Sequence, residues 1–510
     1  MVWWQPRVLL LRGWLSSLTV HPSGAKMHSH VRSFSVLAFA TALIVGCGGS
    51  DGPTGPSGPP VVTAVNGATL PAAPVGSTVI IEGSNFYTTQ GSSQVLFSNG
   101  SGGTIAAVIA SASNWADGFI VTIVPAGTAT GNVVVQTSGG TSTPVVFTVT
   151  QSAAFSPSTV AWTGTSQLPV ALSGHAVAYA ELRGTSTTRV IYAIGGEDNS
   201  NTLQTAVYYS IVGTTGTLGA WTATAALPTA LAFDRAVVAT PANSKVTALG
   251  YVYVLGGTTD AAGTQVVSTI YRGTIASDGT VSGWAQAGSL PAPLHSFGAA
   301  IFLGNLYIWG GATTGNVPVA TVYRSTIDAA GALGTWKSEP SLSSARAYFG
   351  FGSFAGYLYS FGGNTGTVAP NDATVSSSTS TADVVYAQID LRSRDIMTAG
   401  WALNPAQLNK ARMKHTAVVA GGNVLITGGL YSGASTGSSE ESYTQLNADG
   451  STGSFNGATG SVTINALGGG NVFNHGAVGY SGGNGAFHVA VVGGDDVSTP
   501  GTKHKTVFIY

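Results

Sequence analysis

Six short apolar runs that end in Gly-Gly set the strongest limit on what this chain can fold into. They are IYAIGG (191–196), VYVLGG (252–257), LYIWGG (306–311), LYSFGG (358–363), VLITGG (424–429) and VAVVGG (489–494), spaced 52 to 66 residues apart. A period of that length means one supersecondary unit repeated, because a single unit cannot bury its own apolar face and must stack on its neighbours. After each of the first three runs a tyrosine is followed 13 residues later by a tryptophan: Tyr208 and Trp221, Tyr271 and Trp284, Tyr323 and Trp336. The fourth run has Tyr386 and Trp401, and the fifth has Tyr443 and Phe455. The sixth reaches only Phe508, while an unpartnered Trp162 lies ahead of the first run.

The diglycine, the tyrosine and the tryptophan, with turns such as TGTLGAW (215–221) and DGTVSGW (278–284), resemble the kelch repeat, in which these residues recur once per four-stranded propeller blade. The resemblance implies that residues 151–510 form a six-bladed kelch-type β-propeller. Glycines would let the chain leave the second strand beside a neighbouring blade without a Cβ clash, and the aromatic would fill the wedge between blades. The last unit lacks a tryptophan strand. The strand around Trp162 is therefore expected to pair with the C-terminal strand, closing the ring and leaving no exposed edge.

Composition agrees with an all-β chain. There are 71 glycines, 44% hydrophobic and 9% aromatic residues, and only 8% charged residues. Outside the N-terminal region no segment sustains a helical apolar period. Residues 61–150 hold strand candidates at TVIIEG (78–83), QVLFS (94–98), TIAAVIA (104–110), FIVTIVP (119–125), NVVVQT (132–137) and PVVFTV (144–149), a rhythm suited to a β-sandwich. The stretch PVGSTVIIEGSNF (74–86), with the later VPAGTATGNVVVQTSGGTS, resembles the IPT/TIG family of immunoglobulin-like domains. Gly83 and Asn85 are expected to permit a turn of unusual φ/ψ, with Phe86 dropping into the core behind it.

Ahead of the sandwich, residues 48–60 read as a Gly/Pro-rich tether. Phe34 to Val45 is a 12-residue uncharged run behind a basic flank, short for a spanning helix and right for a signal peptide. The only cysteine, Cys47, follows it directly. Ile44-Val45-Gly46-Cys47 resembles the bacterial lipobox, which implies cleavage before Cys47 and acylation of its thiol, with Met27 the expected start and residues 1–47 the signal region. Acyl chains contribute about 0.8 kcal/mol per buried methylene, enough to hold the chain on a membrane. Gly48 in place of aspartate favours the outer membrane or cell surface.

A net charge of −1 leaves no electrostatic footprint for nucleic acid. No phosphate-binding glycine loop and no metal-ligand spacing is present, so no cofactor is expected. In kelch-type propellers the loops before each inner strand and after each diglycine open on one face. Carried onto this sequence, the first set gives His175, Arg235, His295, Arg346, Arg412, His415 and His475, and the second gives Glu197, Asp198, Asp260, Asn364, Asp495 and Asp496. Such a mixture around a central depression suits a glycan or protein ligand; His175, Arg235, Arg346, Arg412, His415, His475, Asp198 and Asp495 are the leading candidates. Non-catalytic recognition is the expected function. The alternatives are a carbohydrate-modifying enzyme resembling the sialic acid epimerases, with Arg346 and Arg412 in its acid/base chemistry, and a purely structural surface component. Galactose oxidase chemistry is excluded, because it needs a cysteine-crosslinked tyrosine.

Overall fold

The computed structural model describes residues 58–510 apart from 69, 110–111, 151–161, 374–378, 421, 432–440, 448, 458–471 and 497. The expected signal region, Met27 and Cys47 lie outside the described residues, as does most of the tether. Every described element is a strand except one 3-10 turn, Ala112–Asn114, so the chain is all-β. No helix among these residues is long and apolar enough to cross a membrane.

Residues 61–149 form two sheets around one core. The first sheet runs Val61–Val65, Thr78–Ser84, Phe119–Ile123, Trp115–Ala116; the second runs Ala72–Ala73, Val145–Val149, Gly131–Thr137, Gln94–Ser98, Thr104–Ala106. Val79, Ile81, Phe86, Phe97, Ile120, Val135 and Phe147 fill the space between them. The turn after Ser84 differs from the sequence expectation in one respect. Asn85 and Tyr87 take the left-handed conformation (φ 63° and 68°), but Gly83 does not. Gly83 is required for close approach instead: a Cβ there would lie 1.9 Å from the Val61 carbonyl oxygen. Phe86 is fully buried, its N–H held by Asp117 Oδ1 at 2.9 Å and its carbonyl by the Trp115 indole at 2.8 Å.

From residue 163 onward there are six four-stranded antiparallel sheets. Their first strands are Ala176–Arg183, Arg235–Ala239, Gly298–Phe302, Gly350–Phe354, Thr416–Ala420 and Gly476–Ser481, numbered here as sheets 1 to 6. Each first strand touches the first strand of the next sheet, and the sixth touches the first, so the inner strands form a closed cycle. Sheet 6 takes its fourth strand from the other end of the chain: Thr163 pairs with Ile509 and Gly164 with Phe508. Trp162, just ahead of that strand, packs against Val472 and Phe508 and donates its indole N–H to Glu441 at 2.5 Å.

Three repeated bond sets explain why these sequence marks give a ring. Both glycines of every diglycine have positive φ, between 56° and 112°. The second glycine's N–H reaches into the next sheet, bonding the carbonyls of Leu231, Leu294, Arg346, Arg412, Val472 and, closing the cycle, Leu172, at 2.8 to 2.9 Å. A Cβ on the first glycine would stand 2.4 to 2.8 Å from the same oxygens, so only glycine fits. The outer tryptophans bond the preceding sheet: Trp221 to Ser166 O, Trp284 to Ala225 O, Trp336 to Ser289 O and Trp401 to Pro340 O, at 2.8 to 3.1 Å. Tyr192, Tyr253 and Tyr480 send their hydroxyls to the glycine carbonyls 279, 331 and 216 at neighbouring turns, at 2.7 to 2.8 Å.

The two-sheet module and the ring belong to one compact unit, Thr54–Tyr510. Ala72, Pro74, Ser77 and Thr150 of the module line a hollow of about 340 Å³ with Tyr179, Glu181, Thr240, Phe354 and Ser481, at the ends of the inner strands far from the diglycines. The Leu70 N–H bonds Pro241 O at 3.1 Å, and Glu82 forms an ion pair with Arg394.

Candidate functional site

At the head of each inner strand sits one residue in the left-handed conformation: Gly174, Phe233, Ser296, Tyr348, Lys414 and Asn474, with φ between 51° and 62°. Their backbones bond one another in a closed loop. Phe233 N–H donates to Gly174 O, Ser296 to Phe233, Tyr348 to Ser296, Lys414 to Tyr348, Asn474 to Lys414, and Gly174 to Asn474, at 2.6 to 3.1 Å. For the five non-glycine residues the conformation costs about 1 to 2 kcal/mol each, offset because each buried amide finds a partner.

This ring of amides divides the axis in two. On the diglycine side the axis is filled. Ala312, Ala347, Tyr348, Val368, Met413, Leu430 and Phe473 form a small core there. Residues 368–372 lie over it, their carbonyls taking the Tyr348 hydroxyl (Val368 O, 2.9 Å), the Lys414 ammonium (Ala369 O, 2.9 Å) and the Asn474 amide (Pro370 O, 2.8 Å). Burial lowers the Lys414 pKa to about 7, against the opposing pull of Asp372, Asp495 and Glu197. On the strand side lies a cavity of about 180 Å³, walled by the six ring residues, by His175, Phe349, His415 and His475 next to four of them, and by Arg235, Ala176, Val177, Ala236, Gly350, Phe351, Thr416, Ala417, Gly476 and Ala477.

The sequence-predicted residues separate into four groups on this frame. His175, His415 and His475 do line the cavity, but as packing groups. They occupy the position after the ring residue, where sheets 3 and 4 carry Phe297 and Phe349. A Cβ on the first glycine of the preceding diglycine would come within 2.6 to 3.3 Å of the aromatic Cε1 in all five cases. The His415 Nε2 accepts the Gly350 N–H at 3.1 Å, and the His475 Nε2 meets Thr416 Oγ1 at 2.7 Å and Thr427 Oγ1 at 3.0 Å. Burial holds all three imidazoles neutral, lowering His175 to about 4, His475 to about 3 and His415 well below its ordinary value.

Arg346 and Arg412 correct the sequence expectation. Neither lines the cavity. They stand where the other sheets have Leu172, Leu231, Leu294 and Val472, with their carbonyls taking the diglycine N–H, and both are fully buried in the seams. The Arg346 Nη1 donates to Gly362 O and Asp383 O at 3.3 and 3.4 Å, and the Arg412 Nη1 to Gly428 O at 3.4 Å. Acid/base chemistry through this pair has no access to the cavity.

Asp198 and Asp495 are likewise held by their own loops on the diglycine side. Asp198 accepts the N–H groups of Ser200 and Thr202 at 2.8 and 3.0 Å. Asp495 is buried and accepts the Gly501 N–H at 2.9 Å, close to the buried Glu197–Lys503 ion pair of 3.4 Å. Burial raises both Glu197 and Asp495 above the usual carboxylate range. Of the remaining candidates, Asp260 and Asp496 cap loop N–H groups, while His295 and Asn364 are buried at the filled end of the axis.

Arg235 stands alone. Its equivalents in the other sheets are Ala176, Gly298, Gly350, Thr416 and Gly476, so one repeat of six places a long cation where the rest are small. The guanidinium lies over the Phe351 ring at 5.2 Å, with Nε bonded to Phe297 O at 2.6 Å and Nη1 to Asp234 O at 3.0 Å. Burial lowers its pKa only to about 10, so it is charged at neutral pH. Its neighbour Asp234 is fully buried with neither carboxylate oxygen hydrogen-bonded, and burial pushes it up to about 7. Sequence reading missed Asp234, whose signal is its place in the aromatic position of the repeat, and Glu441, the Trp162 partner.

Among the described residues no three His, Cys, Asp or Glu side chains are grouped as a metal site requires. No protein-family model matches the chain, and no curated protein matches it in sequence.

Proposed function

We propose that this chain is a lipid-anchored cell-envelope protein, acylated at Cys47, in which a six-bladed kelch-type β-propeller following an IPT/TIG-like immunoglobulin-like domain recognises a ligand without turning it over. The propeller reading is supported by six equivalent sheets in a closed cycle, joined by the same diglycine bond at every seam. The observation that carries recognition is the axial cavity, concave, partly aromatic and furnished with one directed charged group, which is the usual make-up of a small-ligand site. The recognition surface moves accordingly. The sequence favoured the diglycine face, whose axis is filled by an apolar core, and the available space lies on the strand side of the amide ring.

A glycan-array and peptide-binding screen of the full chain tests this reading, repeated with Arg235→Ala and, as a folding control, Arg346→Leu. Loss of a ligand in the Arg235 variant alone supports recognition in the cavity. Equal binding by both variants moves the site to the outer loops, and conversion of a sugar favours the carbohydrate-modifying alternative.

A further inference from the structure

Arg235 has five N–H donors, of which two bond backbone carbonyls. Three remain without a protein partner among the described residues. The side chain makes no ion pair within hydrogen-bond reach of any described carboxylate; its own neighbour Asp234 takes one donor on its backbone carbonyl and acts on the guanidinium through its carboxyl only at longer range. Lys414, the other cation at the cavity, turns its ammonium away to the carbonyls of residues 369 and 372. The cavity wall therefore offers one charged group, half-buried, hydrogen-bonded to no carboxylate and set over the Phe351 ring. A desolvated cation whose donors reach no carboxylate is costly unless an anion joins it, and a guanidinium with free donors matches a planar or tetrahedral oxyanion.

We infer that the axial cavity binds a small oxyanion group, a carboxylate or a phosphate, on the free donors of Arg235, with the Phe351 ring fixing the plane of the guanidinium. The equivalent position in the other five sheets is held by Gly, Ala or Thr, none of which adds a second charged group to the cavity; at the three glycines a Cβ would meet Trp309, Ala417 or Val177. This inference rests on the recognition reading and assigns the chemistry of its ligand.

Calorimetric titration of the full chain with acetate, its neutral counterpart acetamide, glucuronate, glucose and inorganic phosphate tests the assignment. Acetate or phosphate should bind measurably and acetamide should not. Glucuronate should exceed glucose by about tenfold or more, the factor expected for a charge-assisted pair. The two anions distinguish a carboxylate from a phosphate source. Arg235→Met, which keeps the stem and removes the charge, should abolish the difference, with its thermal midpoint reporting whether the ring still folds. The acetate and acetamide comparison in the unaltered protein stands even if that variant does not fold. Equal binding of acetate and acetamide, or anion binding undiminished in Arg235→Met, overturns the inference. Equal affinity for glucuronate and glucose in a protein that binds both would leave recognition standing and remove the oxyanion.

Discussion

The two halves of the ring solve one packing problem with different chemistry. Before the amide ring, sheets 1 to 3 put Leu172, Leu231 and Leu294 into the seam, whereas sheets 4 and 5 put Arg346 and Arg412 into the same slot, equally buried. One residue after the ring residue, sheets 3 and 4 use Phe297 and Phe349, whereas sheets 1, 5 and 6 use His175, His415 and His475. What stays constant is backbone: the left-handed residue, the diglycine and the carbonyl it bonds. Buried arginines and histidines in this molecule are therefore fillers wherever an apolar residue serves equally in another repeat. A charged residue means something else where its equivalents are all small, as at Arg235.

The constant part should be the least tolerant. Gly256→Val at a leucine seam and Gly362→Val at an arginine seam each place a side chain at positive φ, with Cβ 2.4 and 2.8 Å from a backbone oxygen. Both should lose at least about 3 kcal/mol in urea unfolding. Tolerance of one and not the other would mean that the halves differ in backbone after all.

Exchanging the fillers comes next in size. Leu231→Arg buries an unpaired charge and should cost roughly 3 kcal/mol. Arg346→Leu installs the residue already present in three sheets and should cost less than about 1.5 kcal/mol, since a well-packed apolar group often replaces a buried charge without loss and the Asp383 carboxylate that pairs with Arg346 at 3.5 Å is itself partly exposed to solvent. Equal losses would show that the arginine seams are specialised.

The histidine positions separate from the phenylalanine positions on acidification. His175 and His475 have folded pKa values of about 4 and 3, below the ordinary 6.5, so the unfolded chain binds more protons as pH falls. Their contribution is present above pH 6.5 and is lost through that window, at about 1.4 kcal/mol per pH unit for each imidazole. His475→Phe should flatten the decline of thermal midpoint between pH 6.5 and 4. Asp234 works in the opposite sense. Its folded pKa of about 7 exceeds the ordinary 3.8, so its contribution is present at low pH and lost as pH rises through 7. Asp234→Asn should gain stability above pH 7 relative to the unaltered chain; an unchanged pH profile would mean that the carboxyl has a partner in solution.

The smallest effect belongs to the outer aromatics. Trp284→Phe removes the indole bond to Ala225 O and leaves a ring such as Phe455 already supplies in sheet 5. It should cost about 1 to 2 kcal/mol in the same unfolding measurement. A loss as large as that of the glycine variants would make the indole, and not the diglycine, the principal joint.

Much of this was legible in the sequence because the strongest steric demands leave fixed residues. The diglycines, the tryptophans and the surplus Trp162 gave the sheet number and the junction of Thr163–Gly164 with Val507–Ile509, and the alternating apolar runs gave most strands of residues 61–149. The amide ring left no trace, since Gly, Phe, Ser, Tyr, Lys and Asn share no chemistry and only their φ angles agree. Arg346 and Arg412 looked like ligand groups because a charged loop residue is ordinarily exposed. A signal for their true place existed: Leu294, Arg346 and Arg412 each lie 16 residues before the first glycine of their diglycine. Longer hairpins in sheets 1, 2 and 6 blur that register.

Closure of the cycle is what makes an axis, and so a cavity, and amide hydrogen exchange reads it directly. The N–H groups of Gly174, Phe233, Ser296, Tyr348, Lys414 and Asn474 should all be protected to the same high degree, with Gly174, whose bond to Asn474 O joins the first sheet to the last, as slow as the other five. Rapid exchange at Gly174 beside slow exchange at the rest would show an open arc and contradict the account.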